Sequence, residues 1–539
     1  MKKTLNLIIV SLMLCLSHGL AEVNISSLFS DGMVFQQGQL APVWGWADSA
    51  DKVTVAFKGQ TKEAVVGEEG KWMVKLDPLK MSKEPATMIV TVGGETLEIN
   101  DILVGEVWLC SGQSNMDYDL VSLSKPAREK EYQPVADYLK KETETASDPL
   151  LRQIIVPREV SPLVERKNFV GKWQASNPAN NKLFSATAYF FARELRKELN
   201  VPIGLIKASW GGTRVEAWIP KVGYNEFPDM KAFYSGQIKL LKKQSEDFNK
   251  ANADADYEMA LTNWRVAVKK ANVGKGKRPR KPKKMESPEN RRTTPSTLYN
   301  GLIAPVIPYA IKGAIWYQGE SNANMHADEY SKYFMTLIKS WRSIWGQGDF
   351  PFYFAQLASC MDATTDPIGD NGWMSVCDEQ RKTLVLKNTG MAVLNDVGES
   401  KDIHPKNKLD VGKRLSLWAL KNDYGKPLNV CSGPLYKSHV IEGNKVVISF
   451  DSVGSGLMAA TKHLMDAPVE SQEPLARFQI KGNDNAWKWA EAKIVGKTVE
   501  VSHSSISAPL AVRYAWSSNP TGVKLYNKEG LPASVFKTD

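Results

Sequence analysis

Between residues 101 and 430, short apolar segments alternate with longer helical patterns, and this alternation limits the possible folds more than any other feature of the sequence. The apolar segments lie at 102–109, 203–209, 311–317, 352–357 and 391–395. The helical patterns lie at 185–200, 327–345 and about 407–422. Strands that alternate with helices are typical of an α/β protein. We therefore predict a doubly wound parallel sheet for this part of the chain.

Both ends of the chain show a different pattern, in which short alternating segments are separated by turns. They include VTVAFKG and TMIVTVGG before residue 100, and VVISF, TVEVS and LAVRYAW after residue 431. Apolar residues at every second position indicate half-buried strands. We predict an N-terminal β domain at 22–100, a central α/β domain at 101–430 and a C-terminal β region at 431–539, with both β regions sandwich-like.

The first 21 residues have the pattern of a signal peptide. Lys2 and Lys3 precede an apolar run at 5–16, and Gly19 and Ala21 occupy the small-residue positions before a cleavage site. These three features together favour a cleaved leader over a buried N-terminal helix. After residue 21, no apolar stretch is long enough to cross a bilayer. We predict an exported protein without a membrane span, periplasmic or extracellular.

The positive charge of the chain is concentrated in one insertion, which we place at about 221–294. This insertion reads as helical at first, and its end is basic and irregular, with eleven Lys and Arg but only two Glu at 269–292. Gly and Pro interrupt the basic run, GKGKRPRKPKK, and aromatic residues for base stacking are absent from it. The pattern favours a solvated loop over a nucleic-acid site.

Cysteine and histidine usage argues against a disulfide scaffold or a metal centre. The leader holds one of the five cysteines, and the six histidines are scattered. Four remaining cysteines are too few for a disulfide scaffold in a chain of this length. No Cys/His group has the spacing of a zinc site. We predict no metal and no cofactor, and the pairing of Cys360 with Cys377 stays open.

Polar motifs follow several of the apolar segments, at the points where strands of the predicted sheet end. They are CSGQSNM, with Ser114; WGGTR, with Gly212; QGESN, with Gln318; and DIHP, with His404. Ligands bind to open α/β sheets outside the carboxyl ends of the strands. Each motif alone has a plainer explanation as a helix cap, a tight turn or a loop residue. Their convergence favours a serine hydrolase.

The chemistry of ester cleavage suggests a role for each motif. A serine hydroxyl is a weak nucleophile and needs a base, for which His404 is the best candidate for Ser114. A nearby carboxylate would orient the imidazole. Backbone N–H groups of Ser114 and Gly212, with one side-chain amide, are the expected donors to the oxyanion. Because His404 must be neutral to act, we expect the rate to rise with pH through its apparent pKa.

In the order Ser, Gly, amide, His, the chain resembles the SGNH hydrolase superfamily, and closely its sialate O-acetylesterase branch. The resemblance rests on LFSDGMVFQQ, GEVWLCSGQSNM, IGLIKASWGGTRVEAWIP, IWYQGESNA and DIHPKNKLDVGKRLSLWAL, and spans nearly all of the chain after the leader. It implies an SGNH-like sheet, with Ser114 as nucleophile, Gly212 as a backbone oxyanion donor and His404 as general base. The implied reaction is hydrolysis of O-acetyl esters on sugars, with O-acetylated sialic acid as the named substrate.

The sequence departs from the superfamily pattern in two blocks. The third block is usually Gly-x-Asn-Asp, but Ser321 stands in the place of the donating asparagine, so we assign Gln318 as the substitute donor. The last block is usually Asp-x-x-His, but Lys401 stands in the place of the aspartate. The triad acid is then Asp402, with Asp396 as the alternative, or a Ser–His pair works without a close carboxylate. Residues expected to contact the substrate are Arg214, Glu320 and Asn322.

Two alternatives to a sialate esterase remain open. One is an acetyl esterase that acts on a plant polysaccharide such as xylan or pectin. The other is a protein without catalytic activity, whose β regions bind glycans, since fold alone does not determine function. The expected partner in each case is a sugar or glycan.

Overall fold

The computed structural model describes residues 23–47, 52–67, 69–273, 276–364, 366–367 and 372–539. The predicted signal peptide lies outside these ranges. Within them, no helix combines the length and the apolar character that a membrane span requires. Cys360 and Cys377 are present as thiols rather than as a disulfide.

Strands occur along the whole described chain, whereas its α-helices lie between residues 114 and 422. The strands are β1 Asn24–Ile25, β2 Val34–Gln36, β3 Ala41–Trp46, β4 Lys52–Phe57, β5 Gln60–Val65, β6 Lys71–Leu76, β7 Ser82–Val92, β8 Glu95–Gly112, β9 Asp148–Ile155, β10 Gln174–Ser176, β11 Ile203–Ser209, β12 Gly313–Tyr317, β13 Phe352–Ala355, β14 Thr389–Ala392, β15 Leu435–Glu442, β16 Lys445–Asp451, β17 Leu457–Thr461, β18 Val469–Glu470, β19 Phe478–Lys481, β20 Trp487–Trp489, β21 Glu491–Val495, β22 Thr498–Ser502, β23 Ala511–Tyr514, β24 Leu525–Asn527 and β25 Phe536–Lys537. The α-helices are α1 Ser114–Asp117, α2 Leu120–Leu123, α3 Gln133–Thr145, α4 Ala186–Leu199, α5 Pro228–Asp247, α6 Lys250–Val273, α7 Tyr330–Trp345, α8 Gly372–Lys382 and α9 Lys408–Asn422.

The central sheet has the strand order β10-β9-β11-β8-β12-β13-β14. Neighbouring strands from β9 to β14 run parallel, and β10 is an antiparallel edge strand. The chain moves from β8 to one side of the sheet and, after β11, to the other. This arrangement places β8 at a topological switch point, where ligands of open α/β sheets bind. The predicted α/β class is confirmed.

Strands β11 and β12 are buried along their whole length because helices cover both faces of the sheet. On one face, Trp108 of β8 packs against Phe191 of α4, with ring centroids 5.0 Å apart. On the other face, Trp316 of β12 stacks on Phe334 of α7 at 5.8 Å. The two hydrophobic cores hold the strand ends, and the loops that follow them, in fixed positions.

Strand β8 crosses the boundary that the sequence predicts at residue 100. Its first part pairs with β7, and with β2 around Leu103. From Glu106 to Gly112 it pairs with β11, and from Trp108 onward also with β12. The N-terminal β region and the central sheet therefore share one continuous strand of 18 residues.

The C-terminal region is built of small antiparallel sheets, with the orders β15-β16-β22-β21, β18-β17-β24 and β20-β19-β23-β25. They enclose a hydrophobic core of their own, which includes Phe478, Tyr514 and Phe536. This region contacts the central domain near residue 396, where the Tyr526 hydroxyl lies 3.2 Å from Asp396. These sheets match the expected sandwich-like character.

The insertion at 221–294 consists mainly of α5 and α6, followed by the irregular basic segment. Most of that segment is exposed, as expected of a solvated loop. It nevertheless lies against α6, because the indole Nε1 of Trp264 donates to the Pro279 carbonyl at 2.9 Å. Lys284 also pairs with Asp254 of α6 at 2.8 Å. The basic segment is thus anchored to its own helix.

Candidate active site

Ser114 begins α1, two residues after the end of β8. The turn depends on Gly112, which has φ = +135°, and a Cβ there would lie 2.2 Å from the carbonyl oxygen of Tyr317. Only glycine fits this position without a shift of backbone. The next N–H, that of Gln113, donates to the same carbonyl at 2.9 Å. The end of β12 therefore fixes the direction in which Ser114 leaves the sheet.

The structure brings Ser114 and His404 into contact although 290 positions separate them. The His404 Nε2 lies 2.9 Å from the Ser114 Oγ. The imidazole packs against the ring of Tyr118, with centroids 4.4 Å apart. An Nε2 at this distance can accept the serine proton.

Asp402 is the carboxylate beside the histidine ring. Its Oδ1 lies 3.4 Å from the His404 Nδ1 and accepts the backbone N–H of His404 at 3.0 Å. Arg128 lies 3.2 Å from its other oxygen. Asp396, the alternative acid, is instead held by Arg414, with contacts of 2.6 and 2.8 Å. Of the two candidates, the geometry therefore favours Asp402.

Electrostatics keep the imidazole neutral. Burial, aided by the positive charge of Lys408, lowers the pKa of His404 to about 4, although Asp402 acts in the opposite direction. Burial also lowers the pKa of Lys408 to about 7. Between mildly acidic and neutral pH, His404 is thus in the form that accepts a proton.

Asn115 connects the serine to the histidine segment, a role that the sequence reasoning missed. Its Nδ2 donates to the Ile403 carbonyl at 3.0 Å, and its Oδ1 accepts from the Lys408 Nζ at 2.8 Å. The same Nζ donates to the Pro405 carbonyl at 2.6 Å. The sequence offers one indication of this role, since Asn115 lies in the GQSNM motif and Lys408 in the DIHPKNK motif.

A cavity of about 510 Å³ opens above the serine. It is lined by Gln113, Ser114, Asp117, Tyr118, Asp119, Ser122, Arg158, Trp210, Gly211, Gly212, Arg292, Glu320, Ser321, Ile403 and His404. Gly212 has φ = +68°, and a Cβ on Gly211 would lie 3.1 Å from the Ser114 Cβ. Within the described ranges, the backbone N–H groups of Ser114 and Gly212 have no hydrogen-bond acceptor. Two free donors therefore border the cavity, as an oxyanion site requires.

Glu320 lines the cavity and is 7% exposed. One of its oxygens accepts from the Asn115 Nδ2, and the other, Oε2, has no partner among the described residues. Burial raises the pKa of its carboxyl group. An unsatisfied buried oxygen is costly, so a ligand group that bonds to it would gain affinity.

Gln318, expected as the side-chain oxyanion donor, is not among the residues that line the cavity. It is fully buried, and its Nε2 donates to the Asn322 Oδ1 at 2.7 Å and to the Thr213 carbonyl at 3.1 Å. A third acceptor, the Gln113 Oε1, lies 3.3 Å away. Gln113 itself is among the residues that line the cavity.

Two of the three expected substrate contacts, Asn322 and Arg214, also lie outside the cavity lining. Asn322 is fully buried, and both ends of its amide are used, by Val215 N–H at 3.0 Å and Glu216 at 3.0 Å. Arg214 contacts Met325 and lies outside the cavity lining. The arginines that line the cavity are Arg158 and Arg292.

Among the described residues, no group of three or more His, Cys, Asp and Glu side chains is arranged to hold a metal ion.

Comparisons with known proteins point to one family. The family described as carbohydrate esterase, sialic acid-specific acetylesterase, matches residues 104–270 and 291–419. A sialate O-acetylesterase of Mus musculus is 29% identical over 92% of this chain and 90% of its own length. The Homo sapiens sialate O-acetylesterase is 27% identical over 95% and 91%.

A solved structure shows the same likeness. A carbohydrate acetylesterase from Xanthomonas citri is 32% identical, covers 96% of this chain and 99% of its own, and superposes with a TM-score of 0.75. The match therefore includes both β regions as well as the central sheet.

Proposed function

This chain belongs to the carbohydrate esterase family of sialic acid-specific acetylesterases, and we propose that it removes acetyl groups from sugars through an acyl-enzyme on Ser114. The observation that carries the mechanism is the 2.9 Å contact between the Ser114 Oγ and the His404 Nε2. This contact lies in a cavity that two free backbone N–H groups border. Nucleophile, base and oxyanion donors thus meet in one place.

In the first half of the reaction, the Ser114 Oγ attacks the acetyl carbonyl carbon while the His404 Nε2 takes its proton. The carbonyl oxygen becomes an oxyanion, to which the N–H groups of Ser114 and Gly212 donate. The bond between the acetyl carbon and the sugar oxygen then breaks. His404 returns the proton to that oxygen, and the deacetylated sugar leaves.

In the second half, water attacks the acetyl-serine and passes a proton to His404. The bond to the Ser114 Oγ breaks, the serine regains its proton, and acetate leaves. Asp402 stabilises the imidazolium that forms in each half, although its 3.4 Å contact with Nδ1 is long for a triad. In the proposed mechanism, Ser114 and His404 therefore carry out the reaction, and Asp402, whose charge is partly neutralised by Arg128, supports the imidazolium.

Substrate recognition involves the charged and polar groups around the serine. The free Oε2 of Glu320 accepts a hydrogen bond from a sugar hydroxyl in this proposal. Arg292 lies beside Gly212, where its Nη2 is 2.9 Å from the position that a Cβ on Gly212 would occupy. A guanidinium next to the cavity suits the carboxylate of a sialic acid. O-acetylated sialic acid is accordingly the substrate we favour.

A second candidate substrate is an acetylated plant polysaccharide. The carbohydrate acetylesterase from Xanthomonas citri, at 32% identity, supports sugar esters in general rather than sialic acid alone. Acetate release from O-acetylated sialic acid and from acetylated xylan, measured side by side, distinguishes the two. Release from xylan only would overturn the sialate assignment.

The nucleophile is tested by Ser114→Ala together with fluorophosphonate labelling. We expect kcat/KM for acetate release to fall by at least about 10⁴-fold, because this variant removes the group that forms the acyl-enzyme. The wild-type protein should be labelled at Ser114. Ser321→Ala is the matched control, since it removes another cavity hydroxyl and should keep most of the activity. Normal turnover by Ser114→Ala would refute the mechanism, and an unlabelled, inactive wild type would favour a glycan-binding protein.

The charged leader supports a second part of the proposal, that the protein is exported to the periplasm or beyond. An N-terminal sequence of the mature protein that begins near residue 22 would support it. Recovery of the uncleaved chain from the cytoplasm would contradict it.

A further inference from the structure

A second cavity, of about 790 Å³, adjoins the catalytic cavity on the side of the insertion. The two share Arg158 and Trp210 in their linings. The far wall of the second cavity comes from the insertion, with Phe248 from the turn between α5 and α6 and residues 284–287 from the basic segment. A ligand that fills the catalytic cavity can therefore continue past Trp210 into this space.

Two aromatic residues, Trp210 and Phe248, line this cavity. Trp210 and Phe248 are both half-buried, and within the described chain neither ring stacks on another ring or lies under a cation. Core rings such as that of Trp316 pack against several others. Half-exposed rings at a cavity offer flat apolar surfaces, which suit the C–H faces of sugar rings.

The charges of the second cavity balance. Its lining has three cations and three carboxylates, namely Arg158, Lys250, Lys284, Glu159, Asp254 and Glu286. Asp254 holds both lysines, at 2.7 and 2.8 Å, and Arg158 is paired with Asp117. A balanced lining does not favour a polyanion, despite the basic composition of the segment. It fits an uncharged ligand that is rich in hydroxyl groups.

Polar groups for such a ligand are present next to the rings. The side chains of Glu286, Ser287 and Asn290 line the cavity and make no hydrogen bond with another described side chain. They offer a carboxylate, a hydroxyl and an amide, which bond to alcohols as donors or acceptors. All three residues lie in the segment 271–290 that the family match leaves out. The part of the wall that carries these three side chains therefore lies outside the matched ranges, whereas Phe248 lies within them.

We propose that the second cavity is a sugar subsite, which binds the residue next to the acetylated one between Trp210 and Phe248. The substrate is then a glycan of two or more sugars rather than a free acetylated monosaccharide. This inference rests on the proposed esterase function and adds the size of the substrate to it.

The test compares esters of increasing size. Wild-type kcat/KM should be higher for O-acetylated oligosaccharides, either sialylated or xylan-derived, than for the corresponding acetylated monosaccharide. Phe248→Ala should lower kcat/KM for the oligosaccharide about tenfold more than kcat/KM for p-nitrophenyl acetate, because only the longer substrate reaches the ring. Tyr257→Ala is the matched control, since it removes a ring of α6 that lies outside both linings, and it should leave this ratio unchanged.

Each outcome decides a separate point. Equal wild-type kcat/KM for the monosaccharide and the oligosaccharide would overturn the subsite but leave the esterase standing. The same holds if Phe248→Ala lowers both activities equally while its circular dichroism and its thermal unfolding match the wild type. If Phe248→Ala does not fold, Asn290→Ala on the same wall replaces it. This variant should also lower kcat/KM for the oligosaccharide more than kcat/KM for p-nitrophenyl acetate, and an equal loss of both activities would contradict the subsite. Failure of the wild type to hydrolyse p-nitrophenyl acetate would instead contradict the esterase function.

Discussion

Ser114 and His404 meet in one cavity, yet the segments that carry them are held in different ways. The nucleophile loop, residues 112–117, is fixed by buried elements of the central domain. The Thr187 and Ser185 hydroxyls at the start of α4 donate to its carbonyls at 2.8 and 2.6 Å. Lys207 of β11 donates to a third carbonyl at 2.7 Å. Disturbing this loop means disturbing the sheet and α4.

The base loop, residues 400–404, makes polar contacts with a second irregular segment, which includes Arg128 and Glu129. Glu129 accepts from the Ser400 hydroxyl at 2.8 Å and from the Lys401 N–H at 3.1 Å. Arg128, whose side chain is 65% exposed, donates to the Lys401 carbonyl at 2.8 Å. Such contacts are worth little for stability, but they set an orientation. The comparison suggests that the nucleophile position is tied to folding, whereas the base position can be altered with the fold intact.

Among the variants that test this difference between the two loops, Gly112→Ala should have the largest effect on stability. A Cβ there would meet the Tyr317 backbone at 2.2 Å, and φ is +135°. We expect the free energy of unfolding to fall by about 3 kcal/mol or more, because two strand ends must separate. We also expect kcat/KM to fall, because Ser114 moves with them. Gly346→Ala is the matched control for positive φ, since nothing lies within 4 Å of its Cβ. If Gly112→Ala unfolds at the same denaturant concentration as the wild type, the position of Ser114 is not tied to folding in this way.

A smaller effect, on the rate alone, is expected from Asp402→Asn in the base loop. A hydrogen bond to a charged group is worth about 1.5–3 kcal/mol, which corresponds to about 10- to 100-fold in kcat/KM. Stability should change by less than about 1 kcal/mol, since the ion-pair partner of Asp402, Arg128, is 65% exposed. Steady-state kinetics and urea denaturation measure the two quantities.

Asp396→Asn is the control for Asp402→Asn. It breaks the buried pair with Arg414, so it should cost about 3–5 kcal/mol of stability and leave the pH profile unchanged. If Asp396→Asn abolishes activity while the protein stays folded, and Asp402→Asn does not, the choice between the two acids is wrong.

The smallest effect concerns the acidic limb of the pH profile. With the pKa of His404 lowered to about 4, kcat/KM of the wild type should rise with pH near that value and not near the ordinary 6.5. Lys408 disfavours the imidazolium, so Lys408→Met should raise the pKa of His404 and move the limb to higher pH by about one unit. Asp402 and Arg128 also face the ring and are unchanged in this variant. Lys408→Arg, which keeps the charge, should move the limb less. A limb that stays in place in Lys408→Met would exclude this electrostatic role.

The sequence predicts the pair at the centre of the site because both residues lie in motifs at the edge of one sheet. It does not predict which side chains of the third block face the cavity. Gly319, with φ = +152°, ends the strand alternation, and a short 3-10 helix at Glu320–Asn322 follows. The Gln318 amide then donates to Thr213 and Asn322, and Asn322 donates to Glu216. Such directions depend on backbone angles that residue type alone does not specify.

The surroundings of Arg214 and the boundary at residue 100 also depend on contacts that the sequence pattern does not specify. Arg214 follows the glycine turn in sequence, but it packs beside Met325, a contact between segments 111 positions apart. The continuity of β8 depends on pairing with β7, β11 and β12, three partners far apart along the chain. A change in the spacing of apolar residues along the sequence indicates that the exposure of a strand changes. It does not indicate whether the strand ends there.

The shared strand β8 has a consequence for protein engineering. The strand that pairs with β7 of the N-terminal region also leads directly to Ser114, the proposed nucleophile, so the first hundred residues are not a detachable module. Truncation or exchange at residue 100 would remove β2 and β7 from their pairing with β8 and leave an unpaired strand edge next to the central sheet.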